Sequence, residues 1–139
     1  MSRGPLTPRL LLAVAVGGAL GGVLRWTVGQ LAPAGDGFPW PTLGINVVGA
    51  FALAALPAVA AVRRRQWLAV LLGPGLLGGF TTFSAYAEES RALLADARPA
   101  EASAYLVGTV GACLVAVLLA HRLSTPAEQQ VFEDEEGNE

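Results

Sequence analysis

The sequence predicts an all-α membrane protein with four transmembrane helices, the third broken near mid-membrane. Three observations predict it. The 139 residues are 53% hydrophobic and 14% charged, against roughly one-quarter charged in a soluble domain. Four apolar stretches, Leu10–Leu31, Thr42–Val62, Trp67–Tyr86 and Ala102–His121, each approach the ~20 residues needed to cross a ~30 Å hydrocarbon core. Inside the third, Gly78-Gly79 stand close to Thr81-Thr82, a sequence expected to interrupt a helix where lipid offers nothing to satisfy freed backbone groups. Residues 1–125 then make one membrane domain, and residues 126–139 an acidic tail predicted to be disordered.

The same composition excludes most chemistry. The one cysteine, Cys113, lies within the fourth stretch, and His121 is the single histidine, so neither a disulfide within the chain nor a Cys/His metal pattern is available. With no Ser/His/Asp set and no phosphate-cradling loop, the chain is not read as an enzyme. No nucleic-acid partner is expected. Arg3 and Arg9 before an apolar run have the flanks of a secretory signal, but the run continues as a full span and three more follow.

In the first span Gly17, Gly18, Gly21 and Gly22 form overlapping small-xxx-small patterns that let another helix backbone approach closely. Arg25 lies about six residues before the end of the span, or ~9 Å inside the interface. It snorkels, makes a structural hydrogen bond or stands at an ion entrance. The turn-rich run from Pro33 to Pro41 is the first loop, with Trp40 suited to the interfacial aromatic belt. Asn46 enters the second span one to two turns inside the same interface. Its amide cannot face lipid, and it serves as interhelical glue or lines a polar pathway.

Arg63-Arg64-Arg65 close the second span, a cluster that marks the cytoplasmic side. In the third span the break falls ~16 Å below Trp67, near the midplane. If the stretch is helical, Phe80, Phe83 and Tyr86 form one aromatic stripe. Aromatic rings are positive at their edges, and with the Thr81, Thr82 and Ser84 hydroxyls they favour an anion without binding it too tightly to release. Freed carbonyls suit a small hard cation instead. Polar residues from Glu88 to Glu101 read as the third connection, and the last span carries Tyr105 and Thr109, whose hydroxyls extend a polar line.

Gly78-Gly79-Phe80-Thr81-Thr82-Phe83-Ser84, together with Gly44-x-Asn46-x-x-Gly49 and a glycine-rich first span ending in Arg25-Trp26, resembles the bacterial Fluc (CrcB) fluoride channel family from Leu10 to His121. The resemblance implies a four-helix subunit in the bacterial plasma membrane, paired antiparallel with a second subunit. It also implies two narrow fluoride pores that export cytoplasmic F⁻ passively, and a central structural Na⁺. Carried over by residue, Phe83 and Asn46 belong to the pore, and the Gly78 and Thr81 carbonyls to the Na⁺ site. Tyr105 and Thr109 fall on the polar line of the last helix and Glu89 on the family's glutamate beyond the break. Tyr86 stands where a second phenylalanine is usual, and Thr109 where serine is common.

Two rival readings fit a four-span chain. A small multidrug-type, proton-coupled exporter wants a membrane-embedded carboxylate, yet the first, second and fourth stretches hold no Asp or Glu. A non-transporting structural subunit would use the broken helix only as a kink. Orientation follows from arginines near span ends: Arg3, Arg9, Arg63, Arg64, Arg65 and Arg122 on one side against Arg91 and Arg98 on the other. Such a bias predicts one-way insertion with both termini cytoplasmic. An antiparallel pair is then expected with a related chain of opposite bias, or with itself if the folded dimer overrides the rule.

Overall fold

The computed structural model describes residues 7–33, 35, 37–126 and 128–131; of the tail expected to be disordered, residues 127 and 132–139 lie outside the described residues, whereas residues 126 and 128–131 are helical. Helix α1 (Pro8–Leu31) opens on a proline, whose missing N–H costs nothing in a first turn. Helix α2 (Trp40–Ala55) begins the second span with Pro41 in its first turn, and continues as one 3₁₀ turn, Leu56–Ala58. The span was expected to run unbroken to Val62. It stops at Ala58 because Pro57 cannot donate a helical hydrogen bond, and Val59 is extended before the short α3 (Ala60–Arg63).

The third span is a composite. Helix α4 (Gln66–Val70) widens into a π-helical stretch, Leu71–Leu77, that contains Pro74. In α geometry the proline ring would meet the Val70 carbonyl, and the wider turn relieves that clash. Helix α5 (Gly78–Phe80) follows, then extended Thr81 (ψ 156°) and Thr82 (ψ 119°). Helix α6 (Phe83–Ala95) resumes with Thr82 as its cap, its hydroxyl accepting from the Ala85 N–H at 3.1 Å. The break is therefore at Thr81-Thr82, not at the two glycines. Glu88 and Glu89, expected in a connection, lie within α6, and the connection shrinks to residues 96–98 before α7 (Pro99–His121).

What the glycines do is let helices touch. A Cβ on Gly17 would stand 2.2 Å from the Leu71 oxygen, one on Gly21 2.0 Å from the Leu76 oxygen, and one on Gly79 2.5 Å from the Gly18 oxygen. Helix α1 thus packs backbone to backbone on the π-helical stretch and α5, while α2 packs chiefly on α7. Leu10, Ala13 and Val70 close one end of the first contact, and Leu93, Ala102 and Tyr105 the far end of the second.

Four helices, Pro8–Leu31, Trp40–Ala58, Gln66–Ala95 and Pro99–His121, are long and apolar enough to cross a membrane. Leu12, Val23, Val107 and Leu118 point outward and are exposed, as side chains facing lipid tails should be. The chain is a multi-pass membrane protein. Arg9 stacks over the Trp67 ring at 5.5 Å, and Arg63 pairs with Glu128 at 3.0 Å. The start of α1, the second connection and the segment after α7 therefore share one end of the bundle.

Candidate ion pathway

Helix α5 ends at Phe80, and the last helical acceptor before the break is the Leu77 carbonyl, which takes the Thr81 N–H at 2.9 Å. The carbonyls of Gly78 through Thr81 come after it, the four that any helix end leaves without intrahelical donors. The Thr82 N–H, which would have returned to Gly78, donates instead to Asn46 Oδ1 at 2.8 Å, and Asn46 Nδ2 donates to the Thr82 carbonyl at 3.0 Å. One side chain from α2 thus clasps both main-chain groups of the residue at the break. Gly49, three residues on and on the same face of α2, leaves room for Thr81, whose Cγ2 lies 2.2 Å from where a Cβ would be.

Beside this clasp a groove of about 710 Å³ opens between α2, the broken segment and α7. Asn46, Gly78, Thr81, Thr82, Phe83, Tyr86 and Thr109 line it together. Phe83 is 80% exposed, with its ring centroid 5.9 Å from that of Tyr86. The Tyr86 hydroxyl donates to the Leu106 carbonyl at 2.9 Å, so its proton is committed to the protein. Thr109 is only 3% exposed, yet its Oγ1 is the one buried side-chain polar atom with no hydrogen-bond partner among the described residues. Burying a hydroxyl without a partner costs roughly 1–3 kcal/mol.

On the other side of Thr82 a second cavity of about 330 Å³ is lined by Arg25, Thr42, Thr82 and Glu89. Both Glu89 oxygens are taken, Oε1 by the Thr42 hydroxyl at 2.7 Å and Oε2 by the Tyr105 hydroxyl at 2.6 Å. Arg25 is half-buried and shows no ion pair among the described residues. Thr82 lines both spaces, and the clasp stands between them.

The profile of the family described as CrcB-like protein, Camphor Resistance (CrcB), matches residues 12–121. The chain belongs to the CrcB family. Its relatives include "Fluoride-specific ion channel FluC 2" of Nocardia farcinica (strain IFM 10152), 44% identical over 118 residues, which covers 83% of this chain and 84% of that one. "Fluoride-specific ion channel FluC" of Rhizobium leguminosarum bv. trifolii (strain WSM2304) is 42% identical, covering 77% and 89%. "Fluoride-specific ion channel FluC 1" of Streptomyces coelicolor is 42% identical, covering 80% and 74%.

Within this CrcB chain the residues singled out in the sequence separate into two groups. Asn46, Gly78, Thr81, Thr82, Phe83, Tyr86 and Thr109 share the groove, whereas Tyr105 is fully buried behind it and bound to Glu89. Ser84 is exposed beyond the groove lining and meets Thr82 Oγ1 at 3.2 Å. Phe80 leaves the expected aromatic stripe because the extended Thr81-Thr82 pair turns the chain between it and Phe83. Sequence reasoning passed over Thr42 as a partner of Glu89. Its signal was there: four residues before Asn46, it lies on the same face of α2.

Proposed function

We infer that this chain is a subunit of a passive, fluoride-selective channel that lets F⁻ leave the cytoplasm. The observation that carries the reading is the groove between α2, the broken segment and α7, into which Phe83 is exposed beside Asn46 and Thr109. The groove offers weak donors and no full positive charge: the Thr109 O–H, the second N–H of Asn46 Nδ2 and the ring edge of Phe83. Weak donors suit an anion that must be released as readily as it is bound. The Asn46–Thr82 clasp holds the broken segment still, and the bond to Leu106 fixes the Tyr86 ring. Undissociated HF crosses lipid and leaves F⁻ inside, and an inside-negative potential drives the anion out with ~2.3 kcal/mol per 100 mV. No pump is required.

A Na⁺ ion fits the carbonyls at the break. Small hard cations take oxygen ligands, Gly78 is exposed, and a Cβ on it would meet only the Gly73 oxygen, at 3.9 Å. Its carbonyl and that of Thr81 would hold the ion, which supplies a fixed positive charge at the centre of the assembly. Two carbonyls are fewer than the shell of a hard cation, so the reading goes with a second subunit packed antiparallel on the open face. Arg9, Arg63 and Glu128 at one end of the bundle support an orientation with both termini in the cytoplasm. With six arginines against two, the favoured partner is a related chain of opposite bias.

Fluoride efflux from loaded proteoliposomes, followed with a fluoride electrode, tests the function. Efflux that exceeds that of empty vesicles and excludes chloride is expected; its absence from folded protein, alone and with a paralogous chain, sinks the reading. Glu89 speaks against a proton-coupled exporter, because both its oxygens accept from Thr42 and Tyr105. Labelling of single cysteines placed in a loop, from each side of the membrane, tests orientation. Equal labelling from both sides would remove the need for a second chain.

A further inference from the structure

We propose that the end of the bundle carrying the second connection binds the headgroup of an anionic phospholipid, at a site made by Arg9, Arg64 and Arg65 around the Trp67 ring. All three arginines are exposed, and none makes an ion pair among the described residues. The one described carboxylate at this end, Glu128, is already paired with Arg63. Positive charge is thus gathered where no described carboxylate is left to answer it.

The site lies at headgroup depth. Arg9 is the second residue of the first span, and Arg65 directly precedes the third. The Trp67 ring packs against Leu10, Ala13 and Val70, and the Arg9 guanidinium lies over it at 5.5 Å. A contact with the ring face orders that side chain without using its five N–H donors, so the planar fork stays available to take two phosphate oxygens at once. Arg64 and Arg65, three and two residues before Trp67, add charge beside it. Just inside Arg9, Leu11 and Leu12 are exposed and begin the lipid-facing surface of α1. A cationic rim set over an apolar strip matches one molecule with a phosphate at its head and acyl chains below, which neither a free phosphate nor a soluble acidic peptide provides.

Protein carrying Trp26→Phe and Trp40→Phe, so that Trp67 is the one tryptophan, is reconstituted in unlabelled phosphatidylcholine. Its emission is titrated with phosphatidylglycerol or phosphatidylcholine brominated near the headgroup end of the chains. Phosphatidylglycerol is expected to quench at a mole fraction about tenfold lower than phosphatidylcholine, since each arginine near the surface is worth about fivefold in attraction to anionic lipid. Arg9→Gln is expected to cut that preference about fivefold. Arg122, exposed at the same end but following α7, which packs on α2 and α6, is the control, and Arg122→Gln should leave the preference unchanged. Equal quenching by the two lipids overturns the proposal, as does an equal loss with Arg9→Gln and Arg122→Gln, which would mean diffuse surface charge and no site. A preference that appears only after residues 132–139 are removed makes the acidic tail the occupant and overturns it too. Should a variant fail to fold, native mass spectrometry of the unsubstituted protein decides: about one phosphatidylglycerol per chain retained where phosphatidylcholine is lost is expected, and no selective retention overturns the site.

Discussion

On its α1 side the third span packs so closely that a Cβ on Gly21 would stand 2.0 Å from the Leu76 oxygen, whereas on its α2 and α7 side it borders a groove of about 710 Å³ in which Phe83 stays exposed. The first side is built from absent side chains and has no room for a methyl group at Gly17, Gly21 or Gly79. The second is built from side chains that hold the backbone at arm's length and leave donors unused. Rigidity on one side permits openness on the other, because a broken helix keeps its shape only if something else carries the contacts that the break removed.

The largest effect is expected from Gly21→Ala. The added methyl has backbone to displace and no flexible side chain to push aside, so overpacking of at least ~1–3 kcal/mol should leave little folded protein and no efflux. Gly22→Ala, where nothing lies within 4 Å, is the control. Detergent-solubilised yield and monodispersity measure both, and equal tolerance of the two would break the distinction between the sides.

Next comes Phe83→Ile on the open side, which keeps bulk but removes the ring quadrupole. Efflux should be abolished while the protein still assembles. Normal efflux would remove Phe83 from the path.

Thr109→Val sharpens the comparison because stability and activity should move in opposite directions. Removing an unpartnered buried hydroxyl should raise stability by about 1 kcal/mol. Losing one donor to a charged ligand should slow efflux by about tenfold, the equivalent of ~1.4 kcal/mol. Thermal unfolding in detergent and efflux rate are read on the same preparation; a loss of both would make Thr109 a packing residue.

The smallest effect lies outside the membrane. The Thr125 N–H, and then the Arg63 charge, hold the Glu128 carboxyl below the ordinary glutamate value of 4.5. A lowered carboxylate stabilises above its unfolded value and loses that contribution as pH falls through the lowered one. Hydrogen exchange of residues 128–131 should therefore quicken in acid, as pH falls below the ordinary value of 4.5 and through the lowered one, relative to the intrinsic rate. Glu128→Gln should show the quickened exchange already at neutral pH, with fluoride efflux unchanged.

Much of the closed side was legible in the sequence. Glycines four apart in an apolar helix announce close packing, and Gly17 and Gly21 do that. The position of the break was less legible. Two glycines look like the weak point by propensity, but Gly78 and Gly79 stay helical. The chain leaves the helix at Thr81-Thr82, where Asn46 offers the main chain a better partner than its own carbonyl, from thirty-six residues away.

Span number and the family motif were determined by sequence alone, because hydropathy and spacing are local properties that the bilayer reads directly. Which hydroxyls are spent and which are free was decided by tertiary structure. Tyr86, Tyr105 and Thr109 look alike as polar residues facing a pathway. The fold gives the first two protons to Leu106 and Glu89 and leaves the third unpartnered, since hydrogen bonding depends on what stands within about 3 Å, and only helix packing sets that.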